Sequence, residues 1–120
     1  MIKRVLIAGS RNYDNYREAK KYIDFCISNI RLKYTLVFVS GNCRGADSLG
    51  EKYAAENSFN LELYPADWNR FGKRAGPLRN KYMVEISDYI ICFWDGKSRG
   101  TKSVIDFAQI FHKPLKIKLI

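Results

Sequence analysis

Lys3-Arg4-Val5-Leu6-Ile7-Ala8-Gly9-Ser10 is the stretch on which the fold turns. An apolar run of this length, ending in Gly-Ser, has the character of a strand buried on both faces, and such strands belong to parallel sheets. Downstream, Asp14 or Asn15 can cap a helix. Over residues 16 to about 32, Ala19, Tyr22, Ile23, Cys26, Ile27 and Ile30 recur at three- and four-residue spacing, which predicts one amphipathic helix. Thr35–Ser40 reads as a second strand, and Gly41-Asn42-Cys43-Arg44-Gly45-Ala46-Asp47 as a turn into a helix reaching about Ser58.

Residues 59–64 alternate apolar and polar side chains, as a strand exposed on one face near a sheet edge does. A long polar loop follows, and Pro77 suits the first turn of a helix ending near Ser87. Tyr89–Trp94 is the most apolar strand and is expected to be central. A glycine-containing loop at residues 95–100, a helix over residues 101–111 and a last strand, Leu115–Leu119, introduced by Pro114, complete the chain. Four β-α units with a closing strand predict the α/β class: one Rossmann-like three-layer domain over residues 1–120, with a mostly parallel five-stranded sheet and right-handed crossovers.

With 120 residues, one domain and one site are the expectation. No apolar run is long enough to span a bilayer, so no membrane partner is expected. The start, Met1-Ile2-Lys3-Arg4-Val5, carries neither an apolar signal region nor a small-residue cleavage pattern, which makes a cytoplasmic location the expectation. Three cysteines, Cys26, Cys43 and Cys92, are widely spaced and contain no CxxC pair, against both a disulfide framework and a zinc site. Cys26 and Cys92 sit in apolar periodic segments and read as core; Cys43, in a glycine-rich loop, is a plain loop residue or a reactive thiol. The lone histidine, His112, lies near a helix end, where a cation complements the helix dipole.

The net charge of +9 suits nucleic acid, an acidic surface, a small anion or simple solubility, and its distribution decides among them. In a parallel sheet the loops that follow the strands emerge at one end, where ligands bind. Here these loops are residues 9–13, 40–47, 65–80 and 95–101. They hold six of the nine arginines (Arg11, Arg44, Arg70, Arg74, Arg79, Arg99) but only Lys73 and Lys97 among the twelve lysines. A guanidinium fork grips phosphate bidentately, whereas lysine is the commoner residue of a merely soluble surface. Gly41 and Gly45, Gly76, and Gly96 with Gly100-Thr101 stand just before helices, where backbone N–H groups and the dipole favour an anion. Neither GxGxxG after the first strand nor GxxxxGK[ST] is present, so the dinucleotide fingerprint and the P-loop are both absent.

Tyr13, Trp68 and Phe71 fall in the same loops, to stack on a base or to pack down onto the domain. Asp47, Asp67 and Asp95 can accept from ribose hydroxyls or act as acid or base, and each can equally cap a helix or neutralise an arginine.

Five motifs in order extend the pattern over nearly the whole chain: Gly9-Ser10-Arg11; Ser40-Gly41-x-x-Arg44-Gly45-Ala46-Asp47; Pro65-Ala66-Asp67-Trp68; Gly72-x-x-Ala75-Gly76-Pro77-x-Arg79-Asn80; and Trp94-Asp95-Gly96-x-Ser98-x-Gly100-Thr101. With these the chain resembles the YspA-like branch of the SLOG superfamily. The resemblance implies a Rossmann-like fold related to the LOG phosphoribohydrolases and DprA, and a site that senses or processes nucleotides or NAD-derived ligands. LOG-like enzymes carry GGxGT with a glutamate three residues after the threonine; Gly100-Thr101 is kept here, but Val104 stands at that place and Asp106 is two residues further on. The LOG route to hydrolysis therefore lacks its carboxylate. LOG-type relatives are dimers, so the resemblance also implies a homodimer.

Three functions follow as expectations. One is a module that senses or sequesters a nucleotide or ADP-ribose-like ligand, requiring no cofactor and no metal, with Gly9, Ser10, Arg11, Tyr13, Gly41, Arg44, Gly45, Asp47, Asp67, Trp68, Gly76, Arg79, Asn80, Asp95, Gly96, Ser98, Gly100 and Thr101 as the binding residues. The second is a hydrolase of N-glycosidic or phosphate-ester bonds, with Asp95 or Asp47 orienting water. The third is a single-stranded nucleic-acid binder using the same arginine-rich face.

Overall fold

The computed structural model describes residues 1–120. In chain order the elements are β1 (Ile2–Gly9), α1 (Tyr16–Ile27), α2 (Ile30–Lys33), β2 (Thr35–Ser40), α3 (Ala46–Glu56), β3 (Asn60–Leu63), α4 (Trp68–Phe71), a short 3-10 turn (Gly72–Arg74), α5 (Ala75–Ile86), β4 (Tyr89–Trp94), α6 (Arg99–Ile110) and β5 (Leu115–Leu119). All five strands are parallel, in the order β3-β2-β1-β4-β5. The α/β fold class read from the alternation is therefore the observed one, with a wholly parallel sheet.

The period of two along the strands sorts the core into two layers. Val5 and Ile7 of β1 turn toward α1 and α3, packing with Ile23, Phe38, Tyr53 and Phe93. Leu6 and Ala8 turn the opposite way, toward α5 and α6, packing with Met83, Cys92, Val104 and Ile105. Both faces of β1 are thus covered, which is why its sequence is a continuous apolar run.

Three local expectations are corrected. The predicted helix over residues 16–32 is divided at Ser28 and Asn29 into α1 and α2. Ser28 Oγ donates to the Phe25 carbonyl at 3.1 Å, a local bond that competes with continued helix. The segment 65–80 is largely helical: Asp67 caps α4, and α5 begins two residues before Pro77, which still lies in its first turn. β4 is an interior strand, but β1 occupies the centre of the sheet. β3 lies at an edge, as its alternation predicts.

The strand order sets the place for a site. The chain steps outward from β1 to β2 and β3, then crosses back to β4 on the other side of β1, so the order reverses between β1 and β4. Loops leaving the carboxyl ends of these two strands diverge and leave a crevice.

Candidate ligand-binding cleft

A cleft of about 300 Å³ opens at that switch point. Ala8, Gly9 and Arg11 line it from the end of β1, Cys43 and Asp47 from the loop after β2 and the start of α3, and Arg79, Asn80 and Met83 from α5. Ser98, Arg99, Gly100, Thr101 and Val104 line it from α6.

The start of α6 forms its anion-seeking wall. Ser98 caps the helix, its Oγ accepting from the Thr101 N–H at 3.5 Å and lying 3.1 Å from Thr101 Oγ1. Asn80 Nδ2 donates to the Gly100 carbonyl at 3.3 Å and so fixes this turn against α5. The N–H groups of Arg99 and Gly100 find no acceptor within the chain. A Cβ on Gly100 would meet nothing within 4 Å, so the backbone there is open to close approach. Two free N–H groups at the positive end of a three-turn helix are an anion site in the elementary sense.

Asp47 provides the opposite chemistry. It is a buried carboxylate on the cleft wall, 6% exposed, with Oδ2 accepting from the Cys43 N–H at 3.4 Å. Burial pushes its carboxyl up to about 6, against the smaller opposing pull of the Cys43 N–H and the Arg79 cation. Arg79 is only half free. Its Nη1 donates to the Gly41 carbonyl at 2.7 Å and to the Tyr64 carbonyl at 3.3 Å, and its Nε donates to Asn80 Oδ1 at 2.9 Å. Arg11, by contrast, is exposed and makes no ion pair.

Of the residues singled out in the sequence, Gly9, Arg11, Asp47, Arg79, Asn80, Ser98, Gly100 and Thr101 line the cleft. The others serve the scaffold around it. Gly45 has a φ of +80°, and a Cβ there would lie 2.4 Å from the Ser10 carbonyl oxygen, so this glycine lets the loop after β2 close onto the loop after β1. Ser10 is buried beneath the cleft, its N–H donating to the Phe93 carbonyl at 2.9 Å and its Oγ accepting from the Asp95 N–H at 3.3 Å. Gly41 leaves the space that the Arg79 guanidinium fills, while Arg44 is exposed outside the cleft and Gly96 turns its loop at φ +80°.

For four residues the structure shows the packing or capping role of the two that the sequence leaves open. Tyr13 does not offer a stacking face: its ring is buried against Phe93, centroids 5.2 Å apart, and its hydroxyl donates to Glu18 at 2.6 Å. Asp95 does not face the cleft. Its Oδ1 accepts from the N–H groups of Ser98 and Lys97, each at 2.8 Å, and these bonds hold its carboxyl below the ordinary range, so it shapes the turn before α6. Asp67 caps α4 by accepting from the Arg70 N–H at 3.1 Å. Trp68 lies outside the cleft with its indole over Gly76, where a Cβ would stand 3.2 Å from Cη2, so Gly76 serves packing.

Arg99, named among the loop arginines, and Cys43, named as a loop thiol, also line the cleft, whereas Met83 and Ala8 were not singled out in the sequence. Met83 was legible in principle, since it follows Arg79 and Asn80 by four and three residues on one helix face. Val104, at the place of the LOG glutamate, does line the cleft and leaves that wall apolar. No three His, Cys, Asp or Glu side chains are grouped to hold a metal ion, and no helix is long and apolar enough to cross a membrane.

Comparison with known proteins places this architecture. The chain aligns along 98% of its length, with a TM-score of 0.69 and 18% identity, with DNA processing protein A (DprA) from Streptococcus pneumoniae, of which it spans 50%. It aligns over 96% of its length with the protein TM1055, covering 72% of that chain at a TM-score of 0.65 and 17% identity. DNA processing protein A from Helicobacter pylori, described for its single-stranded DNA binding mode, matches over 96% of this chain and 64% of its own, with a TM-score of 0.61 and 24% identity. These likenesses are of fold. In sequence, the Gene 61 protein of Mycobacterium phage D29 is 37% identical over 115 residues, covering 90% of each chain. Residues 3–71, from β1 through the capped turn of α4, match the profile of one family, and with it the chain belongs to the YspA, cpYpsA-related SLOG family (YAcAr).

Proposed function

We propose that the cleft between β1 and β4 binds the phosphate of a nucleotide-type or NAD-derived small ligand, and that the protein senses or sequesters that ligand. The observation that carries this reading is the pair of unpartnered N–H groups at Arg99 and Gly100, at the mouth of a cleft that Arg11 and Arg79 also line. A volume of about 300 Å³ is at the small end of ligand cavities and suits one nucleotide unit, not a run of them. The test is thermal melting against nucleoside phosphates, NAD, ADP-ribose and cyclic derivatives, because a ligand that binds the native state raises its apparent stability. A shift that Arg11→Ala removes supports the reading; no shift with any nucleotide sinks it.

Asp47 favours a second reading. A buried carboxyl titrating near 6, close to the Arg79 cation, has the character of an acid or base held ready for proton transfer, so hydrolysis of the bound nucleotide is the alternative. Chromatography of each ligand that shifts the melt separates the two: base and sugar phosphate formed by the native protein, and not by Asp47→Asn, establish the hydrolase, whereas intact ligand establishes the binder.

A further inference from the structure

β5 forms one edge of the sheet, with β4 as its only strand neighbour. The Ile90 N–H donates to the Pro114 carbonyl and the Ile120 N–H to the Trp94 carbonyl, each at 2.9 Å, and these two bonds fix the phase of the strand. With that phase, and the register from Ile90 opposite Leu115 to Trp94 opposite Leu119, the backbone of Pro114, Lys116, Lys118 and Ile120 faces β4. The N–H and C=O groups of Leu115, Ile117 and Leu119 point outward, a row of donors and acceptors ready to pair with another strand.

The side chains alternate with the same period. Leu115 packs in the layer beneath α6, and Ile117 and Leu119, 37% and 70% exposed, continue that apolar face. Lys116 and Lys118 stand on the opposite face, beside α1, and neither forms an ion pair. Lys118 Nζ lies 5.9 Å over the Tyr22 ring and, with Arg17 and Lys21 of α1, lines a depression of about 410 Å³ beside the strand. Arg17 and Lys21 are exposed and equally unpaired. The one carboxylate in that depression, Glu18, is occupied in accepting from the Tyr13 hydroxyl. The other edge strand, β3, offers no such cations, and its Glu62 is gripped by Arg4 Nε and Nη2 at 2.8 and 3.1 Å.

Lysines on an edge strand guard it against copies of itself, because two β5 strands laid side by side bring cation near cation. The same lysines are complementary to a strand of opposite charge. A lipid surface leaves the outward N–H and C=O groups without partners, and a nucleic-acid strand has no amide backbone to pair with them. We infer that β5 takes an extended segment of a partner protein as a sixth strand, one in which acidic residues alternate with apolar ones. Its carboxylates meet Lys116, Lys118, Arg17 and Lys21, and its apolar side chains cover Ile117 and Leu119.

Fluorescence anisotropy of a labelled peptide of about seven residues, alternating glutamate and valine, tests this. The expected binding weakens with salt, and Lys118→Glu weakens it about tenfold. Ile117→Pro removes an outward N–H at a position where an edge strand tolerates proline, and it abolishes binding. Melting curves of both variants verify that the fold is kept. A further measurement leaves the protein untouched: the peptide is N-methylated either at its glutamates or at its valines. One form is expected to lose binding and the other to keep it, because a paired strand turns every second N–H toward its neighbour. Arg11→Ala, in the cleft, leaves peptide binding unchanged. The inference is overturned if the native protein does not bind the peptide, if the folded variants bind it as the native chain does, or if both N-methylated forms bind like the parent. It is overturned as well if a peptide of the same composition with its glutamates in one block binds equally, or if an oligothymidylate displaces the peptide as effectively as unlabelled peptide does. A dimer of the native chain that Ile117→Pro dissociates also overturns it, since a second copy then covers the edge.

Discussion

The Arg79 guanidinium on α5 donates to the carbonyl oxygen of Gly41, 38 positions earlier in the chain, at 2.7 Å. A second bond from the same nitrogen, to the Tyr64 carbonyl, ties α5 to the ends of both β2 and β3. The cation that lines the cleft is therefore also a clamp that holds the loops after β2 and β3 in place.

Arg79→Ala strands these two carbonyls. The expected loss is about 1–3 kcal/mol in urea unfolding, the cost of leaving a buried hydrogen-bonding group without its partner. Arg79→Lys recovers only part of it, because a single ammonium cannot span both carbonyls and Asn80 as the guanidinium fork does. Arg11→Ala, at an exposed position, leaves stability within about 0.5 kcal/mol of the native chain and is the cleaner probe of ligand binding.

Asp47 gives the protein a pH signature. Burial raises its carboxyl from an ordinary 3.8 to about 6. Between those two values the folded chain keeps a proton that the unfolded chain has released, so the stability associated with the protonated group is full below about pH 4 and is lost by about pH 6. At 1.36 kcal/mol per pH unit the loss is about 3 kcal/mol. Asp47→Asn removes the titration. The variant is expected to be more stable than the native chain at pH 7 by up to about 3 kcal/mol and nearly equal to it at pH 4. A stability difference that stays constant across this range, measured by urea unfolding at each pH, contradicts the raised carboxyl.

Gly45 and Gly100 are expected to respond in opposite ways to the same substitution. At Gly45 the positive φ and the approach of Ser10 leave no room for a Cβ, so Gly45→Ala costs about 2 kcal/mol or more. At Gly100 the added methyl meets nothing and improves a helical position, so Gly100→Ala is neutral or stabilising by up to about 1 kcal/mol. The melting point of Gly100→Ala without ligand is thus preserved, while its shift with a bound nucleotide shrinks because the methyl stands where the phosphate approaches.

The elements were largely legible because each depends on neighbours two to four residues away. The apolar run of β1, the helical spacing of Ala19, Ile23 and Ile27 and the capping role of Asn15 all act locally. The loops were legible as a group, through their arginines and glycines, but not residue by residue. Asp47 and Asp95 look alike in sequence, each a carboxylate near a glycine at the start of a helix. One is buried on the cleft wall, and the other is exposed and bonded to its own turn.

What the sequence determined by itself, then, was the alternation of strands and helices, the parallel sheet that this alternation requires, and the gathering of arginine-rich loops at one end. The tertiary structure alone decided which loop residues face the cleft, that Tyr13 is spent on the core, and that Trp68 and Phe71 lie on another surface. The reason is physical. Periodicity is written into adjacent side chains, whereas the direction of a loop side chain is set by partners far along the chain, as Gly41 sets that of Arg79 and Ser10 that of Gly45.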